Sequence, residues 1–295
     1  MVKNQTVSLV LGSGGARGLA HIGVIEWLTE NGFEIQAIAG SSIGALIGGF
    51  YAAGKLEAYT HWVTALERRD VVRLLDFSFG RSGLFRGERV ITVLKELIGD
   101  CNIEDLPIHF TAIATDVNEE KEVWLNRGPL FDAIRASIAI PTILTPYTHD
   151  GKQLLDGGLI NPIPIAPTLH ERTELTIAVD LSARAEAGFD PLRMPRQRDT
   201  DIVDYHRRIV QFVESMQWRQ GPRPPTELGI LDVITKSMDT MQNTIARCKL
   251  GAYSPDVTIE IPRNVCTFYE FHRARELIEI GRQRAEASLT RYANH

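Results

Sequence analysis

Ile35-Gln36-Ala37-Ile38-Ala39-Gly40-Ser41-Ser42-Ile43-Gly44-Ala45-Leu46-Ile47-Gly48-Gly49-Phe50-Tyr51 is the stretch on which the fold turns. A short apolar run, Ile35 to Ala39, leads to a serine between glycines, and a second apolar run follows from Ile43 to Tyr51. That order reads as strand, sharp turn, helix. A serine at the centre of G-x-S-x-G is pushed out on a strained turn, and small flanking residues, here Gly40 and Gly44, keep the two chain arms clear of it. Ser42 is the candidate nucleophile. The helix behind it aims unpaired N–H groups and a positive dipole end at the hydroxyl, which favours a developing alkoxide. The alternative reading is an ordinary Gly/Ser-rich connection between a strand and a helix.

Upstream, Thr6 to Leu11 reads as a buried strand. Gly12-Ser13-Gly14-Gly15-Ala16-Arg17-Gly18 is a turn. From Leu19 to Asn31 the residues Leu19, Ile22, Val24, Ile25 and Leu28 share one helical face, and Asn31-Gly32 ends that helix. Strand, helix, strand, helix predicts an α/β fold: three layers, α/β/α, with a central mostly parallel sheet. Downstream, helices are expected over Trp62–Leu75, Glu88–Ile98, Pro129–Ser137, Leu228–Leu250 and Phe268–Tyr292. Strands are expected over Phe110–Thr115, with Glu122–Leu125 pairing near it, and over Gln153–Leu155, Thr176–Asp180 and Asp256–Ile261.

The whole chain is expected to form one domain. A catalytic core covers about 6–182. A mobile excursion rich in Arg and Pro covers about 184–225, with one helix near Ile202–Trp218, and C-terminal helices and a strand fill 226–295. The loop Phe77–Arg86 mixes aromatic and basic residues. It reads first as a solvated lid over the site and second as a segment resting on a lipid interface.

Size and charge set bounds. The chain has 295 residues, enough for a sizeable core, and a formal net charge of -5, so no general attraction to nucleic acid is expected. The N-terminus lacks a signal-peptide layout, and the apolar stretch near Ile43–Ala53 is too short and glycine-rich to span a bilayer. Cys101, Cys248 and Cys266 have no metal-type spacing, read as buried or partly buried thiols, and fit a reducing compartment. The expected location is cytoplasmic, with peripheral contact at the inner membrane face compatible with the loop chemistry. No metal or organic cofactor is called for.

The first glycine turn has three readings. A dinucleotide site needs G-x-G-x-x-G and an acidic residue ending the second strand. Here the spacing is Gly12-x-Gly14-x-x-x-Gly18, and Glu34 lies at the wrong end. A phosphate loop needs Gly-Lys-Ser/Thr, which does not follow. An oxyanion hole needs only converging backbone N–H groups, here those of Gly14, Gly15 and Ala16. In a parallel sheet the turns after the first two strands open on one edge, so this loop and Ser42 should meet. Asp156, held by Gly157-Gly158 after a short apolar run, is the candidate base. Its other reading is a hairpin turn. Asp116 and Asp180 read as caps or salt-bridge partners.

An α/β-hydrolase triad would need a histidine after the acid in chain order. His170, His206, His272 and His295 do follow Asp156, but none sits in a strand-end loop flanked by turn residues. His21 and His149 lie near the motifs without the chain order of a triad base. Arg17 reads as fixing the loop through a carboxylate, with Gly18 beside it. Arg135 reads as structural. Ser41 and Ser137 lack the elbow geometry.

Taken in order, the Gly12–Gly18 turn, the helix with His21-Ile22-Gly23-Val24, Gly40-Ser41-Ser42-Ile43-Gly44, Ile134–Pro141 and Asp156-Gly157-Gly158 with Leu159–Pro164 resemble the patatin-like phospholipases. Within that family the chain looks like the small bacterial serine esterases. The likeness spans roughly the first three-fifths of the chain. The family has Asp-Gly-Gly-Gly at the first turn where this chain has Gly12-Ser13-Gly14-Gly15, which leaves the aim of that loop open. The resemblance implies a patatin-like fold and a serine–aspartate dyad, with Ser42 attacking an ester carbonyl and Asp156 as base. It also implies an oxyanion held by the first glycine turn and a lipid or ester substrate. Two other readings stand beside hydrolysis: acyl transfer by the same dyad, and a regulatory adaptor using the Arg184–Pro225 stretch.

Overall fold

The computed structural model describes residues 5–67, 69–71, 88–141, 143–186 and 230–293. The expected lid loop Phe77–Arg86, the expected helix near Ile202–Trp218 and nearly all of the stretch expected to be mobile lie outside the described residues.

Eight strands among the described residues form one mixed sheet. β1 (Thr6–Leu11) lies inside it, parallel to β2 (Glu34–Ser41) on one side and to β7 (Leu175–Ala183) on the other. Its run Val-Ser-Leu-Val-Leu is buried throughout, as suits a strand covered by helices on both faces. β8 (Val257–Pro262) extends the parallel arrangement beyond β7. β3 (His109–Asp116) runs parallel to β2, and β4 (Lys121–Leu125) pairs antiparallel with β3. β6 (Lys152–Asp156) is antiparallel to β3, and the short β5 (Tyr147–His149), not expected from the sequence, pairs antiparallel with β6.

One detail of register sets up the site. β4 pairs with β3 from Ala112 to Asp116, so it occupies one side of that stretch. The other side is shared. β2 pairs there up to Ser41 opposite Ile113, and β6 takes over with Asp156 opposite Ala114. Where β2 leaves the sheet, β6 therefore enters beside it. Ser42 and Asp156 are neighbours because both strands are templated by consecutive residues of β3.

The helices follow the expected order with shifted ends. A 3-10 turn over Gly15–Leu19 leads into α1 (Ala20–Glu30), and α2 (Ile43–Ala52) follows β2 directly. α3 (Leu56–Ala65) begins six residues before the expected Trp62. It stops at Leu66, whose extended backbone ends the helix. Then come α4 (Glu88–Ile98), α5 (Leu130–Ser137), α6 (Ile230–Tyr253) and α7 (Ala274–Ala293). The last begins after a 3-10 turn over Phe271–Arg273, so the closing helix starts later than Phe268. α1 and α7 cross with their backbones nearly touching. A Cβ added at Gly23 would stand 1.8 Å from Ile278 O, and one at Gly281 would stand 1.9 Å from Ala20 O. Cys248 is exposed, which corrects the expectation that all three thiols are at least partly buried.

Candidate active site

Ser42 sits between β2 and α2 with φ 57° and ψ -123°. Such positive φ is strained for a side chain with a Cβ, and it turns the hydroxyl outward from the strand-to-helix corner. The corner is tight because its neighbours are glycines. A Cβ on Gly40 would lie 2.5 Å from Ala45 N, one on Gly44 2.1 Å from Leu11 O, and one on Gly18 2.2 Å from an Ile43 methyl. Gly157 fits as closely, with Ile113 O 2.1 Å from where its Cβ would be.

The Ser42 hydroxyl donates to Asp156 Oδ2 at 2.5 Å. Gly158 N–H donates to Asp156 Oδ1 at 2.7 Å, so each carboxylate oxygen has a donor. Thr115 Oγ1 donates to the Asp156 carbonyl at 2.8 Å. Ser42 and Asp156 are each only 3% exposed. Burial pushes the Asp156 carboxyl from 3.8 up to about 7, against the lowering effect of the hydrogen bonds from Ser42 and Gly158. A carboxylate poised near neutrality is a stronger proton acceptor than an ordinary aspartate.

The glycine turn lies at the same sheet edge, and only part of it is available for an oxyanion. Gly12 N–H donates to Val179 O and Ser13 N–H to Pro162 O. Ala16 N–H donates to Phe268 O at 2.9 Å, so it is already committed, which corrects its expected place among the oxyanion donors. Gly14 and Gly15 have no such bond among the described residues, and Gly15 adopts φ 58°. Arg17 bonds the carbonyls of Gly14 (Nε, 3.2 Å) and Arg263 (3.3 Å). It fixes the loop as expected, but through backbone oxygens rather than a carboxylate.

His21, fully buried, donates from Nε2 to Gly12 O at 2.8 Å and thereby holds the start of the turn. Burial lowers its pKa to about 4, so the ring is neutral near pH 7 and serves as a prop. His149 pairs with Asp150 and stacks on Tyr147. Asp116 caps the turn at Asn118 and Glu119, and Asp180 accepts from Ser182. Both serve as the caps the sequence suggests.

Two contributors escaped the sequence. Ser137 accepts a hydrogen bond from Ser42 N–H at 2.9 Å. Its position ending an apolar helix was visible, but the partner 95 residues away was not. The second is the cavity wall. Ser42, Asp156 and Ser13 open onto a cavity lined by Ile140, Pro141, Ile143 and Phe268 and by Met238, Asp239 and Gln242 from α6. The apolar side chains of Ile140, Pro141, Ile143, Met238 and Phe268 suit an acyl chain, while Ser13, Asp239 and Gln242 add polar groups to the same wall. The constellation can perform acyl transfer through a covalent serine ester.

Comparisons with known proteins give the family. The model of the patatin-like phospholipase family matches residues 9–169, which include the glycine turn, Ser42 and Asp156. An uncharacterized NTE family protein of Mycobacterium tuberculosis is 39% identical over 328 aligned residues, covering 96% of this chain and 91% of that protein. A lysophospholipase NTE1 of Yarrowia lipolytica is 30% identical over 191 residues, covering 62% of this chain but 13% of its own length. The solved structure of VipD from Legionella pneumophila aligns over 98% of this chain and 67% of its own, at 12% identity and a TM-score of 0.46. With a family match over more than half its length and a 39% identical relative along nearly all of it, the chain belongs to the patatin-like phospholipase family.

Proposed function

We propose that this protein hydrolyses carboxylic ester bonds of lipids with a Ser42–Asp156 dyad. The observation that carries the proposal is the 2.5 Å bond from the Ser42 hydroxyl to a buried carboxylate whose proton affinity is raised to about 7. Ser42 Oγ attacks the ester carbonyl as its proton passes to Asp156 Oδ2. The tetrahedral oxyanion is held by N–H groups of Gly14 and Gly15, aided by the N-terminal dipole of α2. Collapse expels the alcohol, which leaves with the proton from Asp156. Water, activated by Asp156 as base again, then releases the acid and regenerates Ser42. The family match and the lysophospholipase relative support a lipid ester as substrate.

No helix among the described residues is long and apolar enough to cross a membrane. We place lipid contact at a surface, with the substrate's acyl chain against Ile140, Pro141, Ile143 and Phe268.

The test is a fluorophosphonate label read by peptide mass, together with turnover of a short p-nitrophenyl ester and a lysophospholipid. Labelling on Ser42 with loss of both turnovers in Ser42→Ala is the expected result. Intact ester turnover in folded Ser42→Ala would end the proposal. Absence of labelling in folded wild-type protein would favour an adaptor role, and product formation that depends on an added alcohol would favour acyl transfer.

A further inference from the structure

The two members of the dyad come from different strands, yet their main chains are tied to the same short turn. Ser137, the last residue of α5, accepts the N–H of Ser42 at 2.9 Å through its hydroxyl. Two residues later, the carbonyl of Ala139 accepts the N–H of Asp156 at 3.0 Å.

The turn between them is itself fixed. Ile138 N–H bonds Ile134 O at 3.0 Å, Ala139 N–H bonds Ala136 O at 3.2 Å, and Ile140 N–H bonds Ile138 O at 2.8 Å. Ser137 and Ala139 are completely buried, so neither bond is shared with solvent. Two residues earlier, Arg135 donates to Thr145 O at 3.0 Å and to Thr145 Oγ1 at 3.2 Å, which anchors the segment that continues into the cavity wall at Ile140, Pro141 and Ile143. The Ser42 N–H belongs to a residue in a strained conformation. A buried amide there without an acceptor would favour any shift that let it find one.

From this double attachment we infer that Ser137 is a positioning residue for the dyad: its hydroxyl holds the Ser42 corner at the distance from Asp156 that the turn Ser137–Ala139 fixes from the other end. The inference rests on the Ser42–Asp156 reading above. It departs from the sequence reading, in which Ser137 lacked any role. A small loosening is enough to matter, because a displacement of about 1 Å at a reacting atom costs on the order of a hundredfold in rate.

The experiment compares wild-type protein, Ser137→Ala, Ser137→Cys and Ser42→Ala. The readouts are thermal midpoint, kcat and KM on a short p-nitrophenyl ester, and the rate of fluorophosphonate inactivation. Ser137→Cys keeps nearly the same volume with a much poorer acceptor, so it tests the bond if the alanine variant does not fold. The expected result is a kcat about ten- to a hundredfold lower in the folded variants, KM changed less than threefold, and a parallel fall in the inactivation rate. A residue that only supported the fold would lower the thermal midpoint and leave kcat per folded molecule unchanged. Either folded variant keeping kcat within threefold of wild type while Ser42→Ala is dead overturns the inference alone. Failure of both variants to fold also overturns it, because the residue is then structural. Turnover by Ser42→Ala would instead remove the dyad reading on which the inference stands.

Discussion

Replacing Asp156 by asparagine should destroy turnover while making the protein more stable at alkaline pH. The carboxyl is raised from 3.8 to about 7 chiefly by burial. Its folded-state affinity for protons therefore exceeds that of the unfolded chain. Between about pH 4 and pH 7 the folded state holds more protons, and its stability declines as pH rises through that window. Each tenfold gain in proton affinity is worth about 1.36 kcal/mol, so ionised Asp156 costs the folded state about 4 kcal/mol above pH 8. Asparagine escapes that cost. Its carbonyl can keep the Gly158 N–H, but its amide N–H₂ must face Ser42, whose hydroxyl loses its acceptor. That returns about 1–2 kcal/mol. The net expectation is a gain of roughly 2–3 kcal/mol at pH 8.5 and little or none at pH 4.5.

His21 complicates the wild-type profile. Its pKa is lowered to about 4, below the unfolded value of 6.5, so it contributes stability that grows as pH rises from 4 to 6.5. The two slopes oppose each other in the same window, and the wild-type curve alone would hide both. The difference between Asp156→Asn and wild type removes the histidine. Urea unfolding midpoints at pH 4.5, 6 and 8.5 give that difference, and ester turnover is read on the same samples. The expected activity loss is on the order of a thousandfold or more, by analogy with other nucleophile–base pairs. A stability difference that does not change between pH 4.5 and 8.5 would refute the assigned proton affinity. Retention of more than a tenth of wild-type turnover would refute the role of Asp156 as base.

Wild-type kcat/KM should rise with pH through a midpoint near 7, and a flat profile from pH 5 to 8 would contradict a base with that affinity. Ser42→Gly should be more stable than Ser42→Ala by about 1 kcal/mol, because glycine accepts φ 57° without strain. Both variants should be inactive, and equal stability would deny the strain. In the Asp156→Asn background, His21→Asn should flatten the loss of stability on acidification below pH 6.5, read from urea midpoints at pH 4.5 and 6.5. Gly281→Ala places a methyl 1.9 Å from Ala20 O, backbone against backbone, and should cost about 2 kcal/mol or more in unfolding free energy. A neutral result would mean that the α1–α7 crossing relaxes freely.

What the sequence disclosed and what it withheld divide along a physical line. Local chemistry was legible. Gly40 to Gly44 can only be a strand-to-helix corner, and the apolar runs at Thr6–Leu11 and Ile35–Ala39 can only be buried strands once a helix separates them. Chain order then placed the glycine turn and Ser42 on one edge. Asp156 is a different case. As a strand-end aspartate before two glycines it was open to a hairpin reading, and nothing local decided the matter. The decision came from β3, whose residues Ile113 and Ala114 pair in turn with the end of β2 and the end of β6. Register between distant strands is not written in either strand, so the bond from Ser42 to Asp156 could be suspected from the motifs but not read. The same holds for donors. The sequence offered Ala16 N–H to the oxyanion, but Phe268 O takes it, because the segment after β8 packs against the turn. Ser137 lay hidden for the converse reason: its hydroxyl was visible, while the amide it serves belongs to a corner that exists only once α2 and α5 have packed. The nucleophile is thus a local property of this chain, and its partners are properties of the sheet.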